Sequence, residues 1–132
     1  FRSLLEHGST VDSRTYARAT RQRQATNALI DELLSGIDVM VCPGMPNPAP
    51  PLDAVPPQQV AALEDIAPLV RFSAPTNFSG HPSITLMNGF TESGLPTSMQ
   101  FIGRKGDESS LIRVASTYEQ MTHWHKMKPL LS

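Results

Sequence analysis

The residues that decide the fold read RFSAPTNFSGHPSITLMNGF at positions 71–90 and GLPTSMQFIGR at positions 94–104. Pro82 cannot sit inside a central β-ladder, so it marks the point where a short helical turn ends and a strand begins. We predict the first strand over 83–87 and the second over 97–102, with a glycine-rich connection between them. Residues alternate between the two faces of a strand, so one face of the pair is expected to be buried.

Upstream of this stretch, a helical pattern runs from 12 to 35. Asp12 is a good N-cap, and Gly36 is placed to end the helix. Apolar or long-stemmed side chains recur at steps of three and four, namely Tyr16, Ala19, Arg23, Thr26, Leu29 or Ile30, and Leu33. Four arginines in the first half form either an anion site or a solvated face, and the solvated face is favoured: Arg14, Arg18, Arg21 and Arg23.

The remaining elements surround a loop that is rich in proline. The compact apolar run at 37–42 predicts a strand buried on both faces. Seven of the fifteen residues at 43–57 are proline, which favours an extended loop that either shapes a ligand cleft or only spans distance. Helical spacing follows at 58–69, and Asp107 caps a last helix whose inward stripe is Leu111, Val114, Ala115 and Tyr118.

This order of elements predicts an α/β fold with some strands parallel. Three strands alone leave two open edges, so more strands from other protein are expected to complete the sheet.

The composition restricts the class of partner. The net charge is −1 and charged residues make up 17%, so nucleic acid is not an expected partner. No apolar run approaches the 18 residues of a membrane span, and no membrane partner is expected. Cys42 is the single cysteine, which excludes an internal disulfide and predicts a cytoplasmic location.

Few residues carry recognisable chemistry. His123 and His125 have no acid or cysteine nearby to complete a metal site, and neither a metal nor a cofactor is predicted. His81 either lines a cleft or lies in an ordinary turn. Cys42 is either a nucleophile or, more commonly for such a run, a small buried hydrophobic residue.

Three ordered blocks of this sequence resemble the C-terminal part of the amidase signature enzymes. The blocks consist of Phe72, Ser73, Pro75, Asn77, Gly80, Pro82 and Ile84; then Gly94, Leu95, Pro96, Gln100, Gly103 and Arg104; then Asp107, Glu108, Leu111, Ala115, Tyr118 and Glu119. The resemblance extends upstream through Tyr16, Ala19, Arg21 and the segment 38–43, and so covers nearly the whole chain.

The resemblance implies one large mixed β-sheet flanked by helices, and hydrolysis of a carboxamide C–N bond by a Ser–Ser–Lys mechanism. The family's two serines lie in a Gly- and Ser-rich segment, with the lysine upstream. No Gly-Gly pair occurs here, and Lys105, Lys126 and Lys128 match nothing in that pattern. We therefore expect residues 1–132, which begin at Phe1 rather than methionine, to be the C-terminal portion of a single amidase domain whose catalytic part is absent. The chain alone is predicted to be inactive.

The resemblance also suggests where this segment meets a substrate. Met45, Arg71 and Phe72 are the predicted substrate-binding residues. Asn77 is expected to bond backbone groups in a buried turn rather than to bind substrate. Amidotransferase members carry an aspartate before the Phe-Ser segment for a substrate α-amino group. Val70 and Arg71 stand there instead, which favours a plain amide hydrolase.

Two alternatives remain open. The chain is either a fragment of a glutamine-dependent amidotransferase subunit or a non-catalytic interaction module derived from an amidase. The expected partners are the remainder of the amidase chain, a small-molecule amide substrate and, in a homodimer, a second copy.

Overall fold

A computed structural model of the chain describes residues 2–51 and 67–128. The elements, in chain order, are helices α1 (Arg2–Ser9) and α2 (Ser13–Leu33), strand β1 (Val39–Pro43), helix α3 (Ala74–Ser79), strands β2 (Ser83–Phe90) and β3 (Pro96–Gly103), helix α4 (Glu108–Met121) and a short 3-10 turn (Trp124–Lys126). Most of the helix predicted at 58–69, and the end of the proline-rich loop, lie outside the described residues. The last part of that predicted helix, 67–69, belongs to a turn that runs through 73.

The three described strands form one sheet in the order β1-β3-β2, and both pairs are antiparallel. The α/β class is confirmed, whereas the expected parallel pairing is wrong for these strands. The reason is local for β2 and β3, since their short connection at 91–95 allows only a hairpin. The register of β2 shifts between Met87 and Gly89, where Gly89 has φ of 152°, a conformation that favours glycine.

Helix α2 begins as predicted and ends differently. The Asp12 side chain accepts a hydrogen bond from the Thr15 N–H at 2.6 Å, so the predicted N-cap is confirmed. At the other end Leu34 is the C-cap, in right-handed helical conformation, and the expected cap at Gly36 is wrong. The chain leaves the helix at Leu34, whose side chain is completely buried.

The hydrophobic core lies where the end of α2 meets the sheet. Ile30, Leu34 and Ile102 form its centre, and Met40 and Cys42 pack against it. Among the other positions of the predicted α2 stripe, Thr26 is half-buried, whereas Tyr16 is 71% exposed and Leu29, the alternative to Ile30, is 56% exposed. Residues 13–22 of α2 are all exposed. Across residues 2–51 and 67–128, no helix combines the length with the apolarity that crossing a bilayer requires.

Helix α4 covers the sheet as its pattern predicts. Leu111 and Ala115 are buried, and Val114 and Tyr118 are half-buried. The Tyr118 ring packs edge-on against Phe101, with ring centroids 6.3 Å apart. The predicted inward stripe is therefore confirmed.

Asp107 stands at the N-cap position of α4. Its carboxylate accepts a hydrogen bond from the Ser109 hydroxyl at 3.2 Å rather than from a backbone N–H of the first turn. Hydrogen bonds from Ser110 and Ser109 lower the pKa of Asp107. Asp107 therefore stands at the N-cap position, but the predicted side-chain cap is wrong, since its carboxylate accepts no capping hydrogen bond from the first turn of α4.

Candidate functional site

An open cleft lies between helices α2 and α3, and we call it the α2–α3 cleft. Helix α3 carries Pro75 in its first turn and ends at Gly80, whose φ of 77° suits glycine. The cleft has a volume of about 660 Å³. Its described lining combines apolar walls with a guanidinium, an amide and the smaller threonine hydroxyl: Thr26, Val70, Arg71, Ala74, Pro75, Asn77 and Phe78.

Two side chains of this cleft supply its polar chemistry. The Arg71 guanidinium lies over the Phe72 ring, 5.5 Å from its centroid, and has no acidic partner among the residues that the structure describes. Asn77 is exposed, and its side chain makes no hydrogen bond to any residue that the structure describes. The expected buried, backbone-bonded amide at Asn77 is therefore wrong. Asn77 lies on the exposed side of α3, whose buried residues are Thr76 and Ser79.

A second groove follows the proline-rich loop, and we call it the proline groove. Its volume is about 370 Å³, and its described lining is Met45, Pro46, Asn47, Pro48, Ala49, Pro50, Leu69, Pro96, Thr97 and Ser98. The Gly44 N–H donates to the Ser98 carbonyl at 2.9 Å. A Cβ atom at Gly44 would collide with the Ser98 side chain, so glycine lets the loop lie close against β3.

The three predicted substrate-binding residues do not line one pocket. Met45 lies in the proline groove and Arg71 in the α2–α3 cleft. Phe72 is half-buried beside the cleft, and its carbonyl accepts a hydrogen bond from Gln100 Nε2 at 3.3 Å. The turn at 67–73 separates the two concave surfaces, because Leu69 lines the groove and Val70 lines the cleft. Substrate contact by the three residues stays a prediction.

A chain of polar contacts runs behind α3, and sequence reasoning did not find it. His81 is buried; its Nδ1 lies 2.8 Å from Ser79 Oγ and its Nε2 lies 3.0 Å from Asp31 Oδ1. Lys105 Nζ donates to Asp31 Oδ2 at 3.2 Å. Asp31 and His81 are 50 positions apart, so no local pattern joins them. His81 lines neither concave surface.

Ser79, His81 and Asp31 contact one another in the same succession as the residues of a serine hydrolase triad. The burial of Ser79 excludes that role. An ionised Asp31 only accepts, so His81 Nε2 is the donor in its contact with Asp31. Ser79 is 3% exposed, so its oxygen has no room for a substrate carbonyl. We interpret this series of polar contacts as a tether that holds the end of α3 to α2.

A second tether lies at the other end of the α2–α3 contact. Arg23 Nε donates to the Phe78 carbonyl at 2.7 Å, and the guanidinium lies 6.0 Å from the centre of the Phe78 ring. Arg23 is exposed, in line with the solvated-face interpretation, but its guanidinium also contacts α3. The charge of this side chain reaches the carbonyl end of α3, where a cation is favourable.

The electrostatics of Asp31 give one testable consequence. A hydrogen bond from Lys105, and then one from His81, lower the pKa of Asp31 below its ordinary value of 3.8. A carboxylate with a lowered folded pKa adds stability above its unfolded pKa, and that stability is lost as the pH falls through the folded value.

We expect Lys105→Met to raise the pKa of Asp31 toward 3.8 and to remove part of this acid-range dependence. An NMR titration of the Asp31 carboxyl carbon measures the shift. Lys126→Met, far from Asp31 in sequence and without a described contact to it, serves as the control. An unchanged Asp31 titration in Lys105→Met would show that the lysine is not the cause.

Neither Cys42 nor the histidines form a reactive centre in the described part of the chain. Burial raises the pKa of the Cys42 thiol, which favours the protonated form. In the two described ranges no group of three or more His, Cys, Asp and Glu side chains is arranged to hold a metal ion.

Comparison with known proteins identifies the family. The Amidase family matches residues 1–112. A glutamyl-tRNA(Gln) amidotransferase subunit from Thermodesulfovibrio yellowstonii is 36% identical over 88% of this chain and 23% of its own length. An amidase of Pseudomonas putida is 34% identical over 98% of this chain and 28% of its own length.

Solved structures show the same fold. The structure of 6-aminohexanoate cyclic dimer hydrolase matches 97% of this chain and 28% of its own, with a TM-score of 0.83 and 20% identity. A crystal structure of an amidase matches 91% of this chain and 28% of its own, with a TM-score of 0.77 and 24% identity.

The cleft-bearing α/β segment thus has the fold of these solved structures, and the chain belongs to the Amidase family. It spans about a quarter of the length of the relatives it matches.

Proposed function

We propose that the complete protein hydrolyses carboxamide C–N bonds, and that this chain is the C-terminal portion of its single amidase domain. The reacting Ser–Ser–Lys groups lie outside the chain, and the α2–α3 cleft forms one wall of the substrate site. The observation that carries the proposal is the family match over residues 1–112, in a chain that spans 28% of an amidase relative.

The described side chains support the placement of catalysis elsewhere. A nucleophilic serine needs a base within hydrogen-bond reach and room for the substrate. Lys105 bonds the carboxylate of Asp31 rather than a serine hydroxyl. Ser79 has a base in reach at His81, but it is buried. What this segment offers instead is a cleft with one cation, one free amide and apolar walls.

The test is a comparison of the complete protein with the 132-residue chain. We expect the complete protein to hydrolyse simple aliphatic or aromatic amides and to react with a serine-directed fluorophosphonate outside these residues. The chain alone is expected to show neither activity nor labelling. Fluorophosphonate labelling of a serine within residues 1–132 would overturn the proposal.

An amidotransferase subunit is the second candidate, because a relative with that name is 36% identical to this chain. Its substrate glutamine carries an α-ammonium group. The guanidinium of Arg71, which has no acidic partner among the described residues, would repel such a cation in the cleft, which favours the hydrolase. Glutaminase activity without turnover of simple amides would reverse this preference.

Arg71 provides the residue-level prediction. We expect Arg71→Met to raise the KM for a neutral amide about three- to tenfold, because a hydrogen bond from a cation to the substrate is lost at a partly exposed site. The value of kcat should change less than about twofold, since the reacting groups lie elsewhere.

Arg18→Met is the matched control, because Arg18 is exposed on α2 and does not line the cleft. Steady-state kinetics of the complete protein measure both constants. An unchanged KM in Arg71→Met would remove Arg71 from the substrate site.

We also propose a cytoplasmic location for the complete protein and a homodimer for the isolated chain. The free thiol of Cys42 supports the first, since free thiols suit a reducing compartment. The exposed apolar side chains Leu33, Ile37 and Val41 support an interface between two copies of the isolated chain, which lacks the strands expected to complete its sheet. Light scattering at high concentration that shows only monomer would contradict the dimer.

A further inference from the structure

Helix α3, which carries most of the cleft wall, is held to α2 by polar contacts. Its buried residues are Thr76 and Ser79, and both are polar. The buried hydrophobic cluster lies elsewhere, around Ile30, Leu34 and Ile102. Hydrogen bonds weaken steeply when their geometry changes. The polar contacts that join α2 and α3 therefore restrict the spacing between the two helices.

These contacts form two tethers, one on each side of Thr26, which lines the cleft. Arg23 bonds the Phe78 carbonyl, and Asp31 bonds His81 just beyond the end of α3. On α2 the two anchors are separated by about 12 Å at the helical rise, and Thr26, which lines the cleft, lies between them in sequence. On the other side, Phe78 and His81 are only three positions apart.

We propose that Arg23 and the Asp31–His81 pair are positioning residues that fix the width of the α2–α3 cleft and thereby set the size of the amide substrate that it admits. This inference rests on the proposed function, in which the cleft forms part of the substrate site. Neither tether touches the reacting atoms. Each acts by holding the Phe78 and Asn77 wall at a fixed distance from Thr26.

The test uses the ratio of kcat/KM for two amides, propionamide and the bulkier phenylacetamide, measured on the complete protein. This ratio does not depend on the fraction of folded enzyme, so simple destabilisation leaves it unchanged. Asp31→Ala removes the acceptor for His81 Nε2, and we expect it to shift the ratio toward the bulky amide by about fivefold or more. Asp31→Asn keeps an oxygen acceptor, so its ratio should stay within about twofold of wild type.

Asp38→Ala is the matched control. Asp38 pairs with Arg104 at 2.6 Å, just as Asp31 pairs with the neighbouring Lys105, but Asp38 lies on neither tether. The Arg23 tether has its own pair of variants, Arg23→Met and the control Arg18→Met. We expect Arg23→Met to shift the ratio in the same direction as Asp31→Ala.

Hydrogen exchange of the amides at 73–81 provides a readout that needs no substrate. Exchange there should be about three- to tenfold faster in Asp31→Ala than in Asp38→Ala, because a tether of α3 is lost. Unchanged exchange would overturn the tether, and so would an equal change in the control. Faster exchange with an unchanged substrate ratio would overturn the link to specificity. If the wild-type protein turned over no amide at all, the proposed function would fail and this inference with it.

Discussion

Leu34→Ala is expected to lower the free energy of unfolding of the complete protein by about 2–5 kcal/mol, the range for truncation of a buried leucine. Leu34 is completely buried, and it packs with Ile30 and Ile102 where the end of α2 meets the sheet. Leu34 is also the C-cap residue of α2, but its backbone N–H makes the cap contacts, so the truncation removes the core contact and leaves the cap in place.

Urea denaturation of wild type and variant measures the change, with the slope of the transition as a check on two-state behaviour. Leu34→Met is the matched control, because it nearly conserves volume and should cost less than about 1.5 kcal/mol. Equal losses for the alanine and methionine variants would show that a cavity at this site is not the cause.

Gly103→Ala is expected to destabilise the protein by about 1–3 kcal/mol through overpacking. A Cβ atom at Gly103 would lie 3.0 Å from Leu111 Cγ and 3.3 Å from each Leu111 Cδ. Leu111 is 3% exposed in the stripe by which α4 covers the sheet, so it has little room to move. The close approach of α4 to β3 therefore depends on the absence of a side chain at this position.

A double-mutant cycle tests this explanation. Leu111→Ala alone removes a buried side chain and lowers stability, but it also makes space for a methyl group at position 103. The double variant should therefore be more stable than the sum of the two single losses predicts. Strict additivity would show that Gly103 and Leu111 do not collide.

Local patterns predicted the elements whose signals lie within a few residues. The β2–β3 hairpin follows from Pro82 and the connection at 91–95, and the α4 stripe follows from helical spacing. The Asp12 cap was equally local. Strand direction could not be predicted from local patterns, because the sequence of a strand does not indicate which other strand it pairs with. The expected parallel pairing was therefore wrong for the described strands.

The candidate site was predicted only in part. Sequence reasoning found Arg71, which does line a cleft, but it placed Asn77 in a buried turn and left His81 undecided. The tethers Arg23–Phe78 and Asp31–His81 join residues 55 and 50 positions apart. Such pairs leave no trace in periodicity or spacing. The apolar stripe of α2 likewise could not reveal that only its last part meets the described core.

The pairing order of the sheet has a consequence for how it assembles. Leu86 pairs with Met99 only 13 positions along the chain, whereas Cys42 pairs with Gln100 across 58 positions. Closing the longer loop costs about 1 kcal/mol more chain entropy. The β2–β3 hairpin is therefore expected to form first, and β1 is expected to pair with β3 later. Pulse-labelling of the backbone amides of β1 and β2 during refolding would reveal this order.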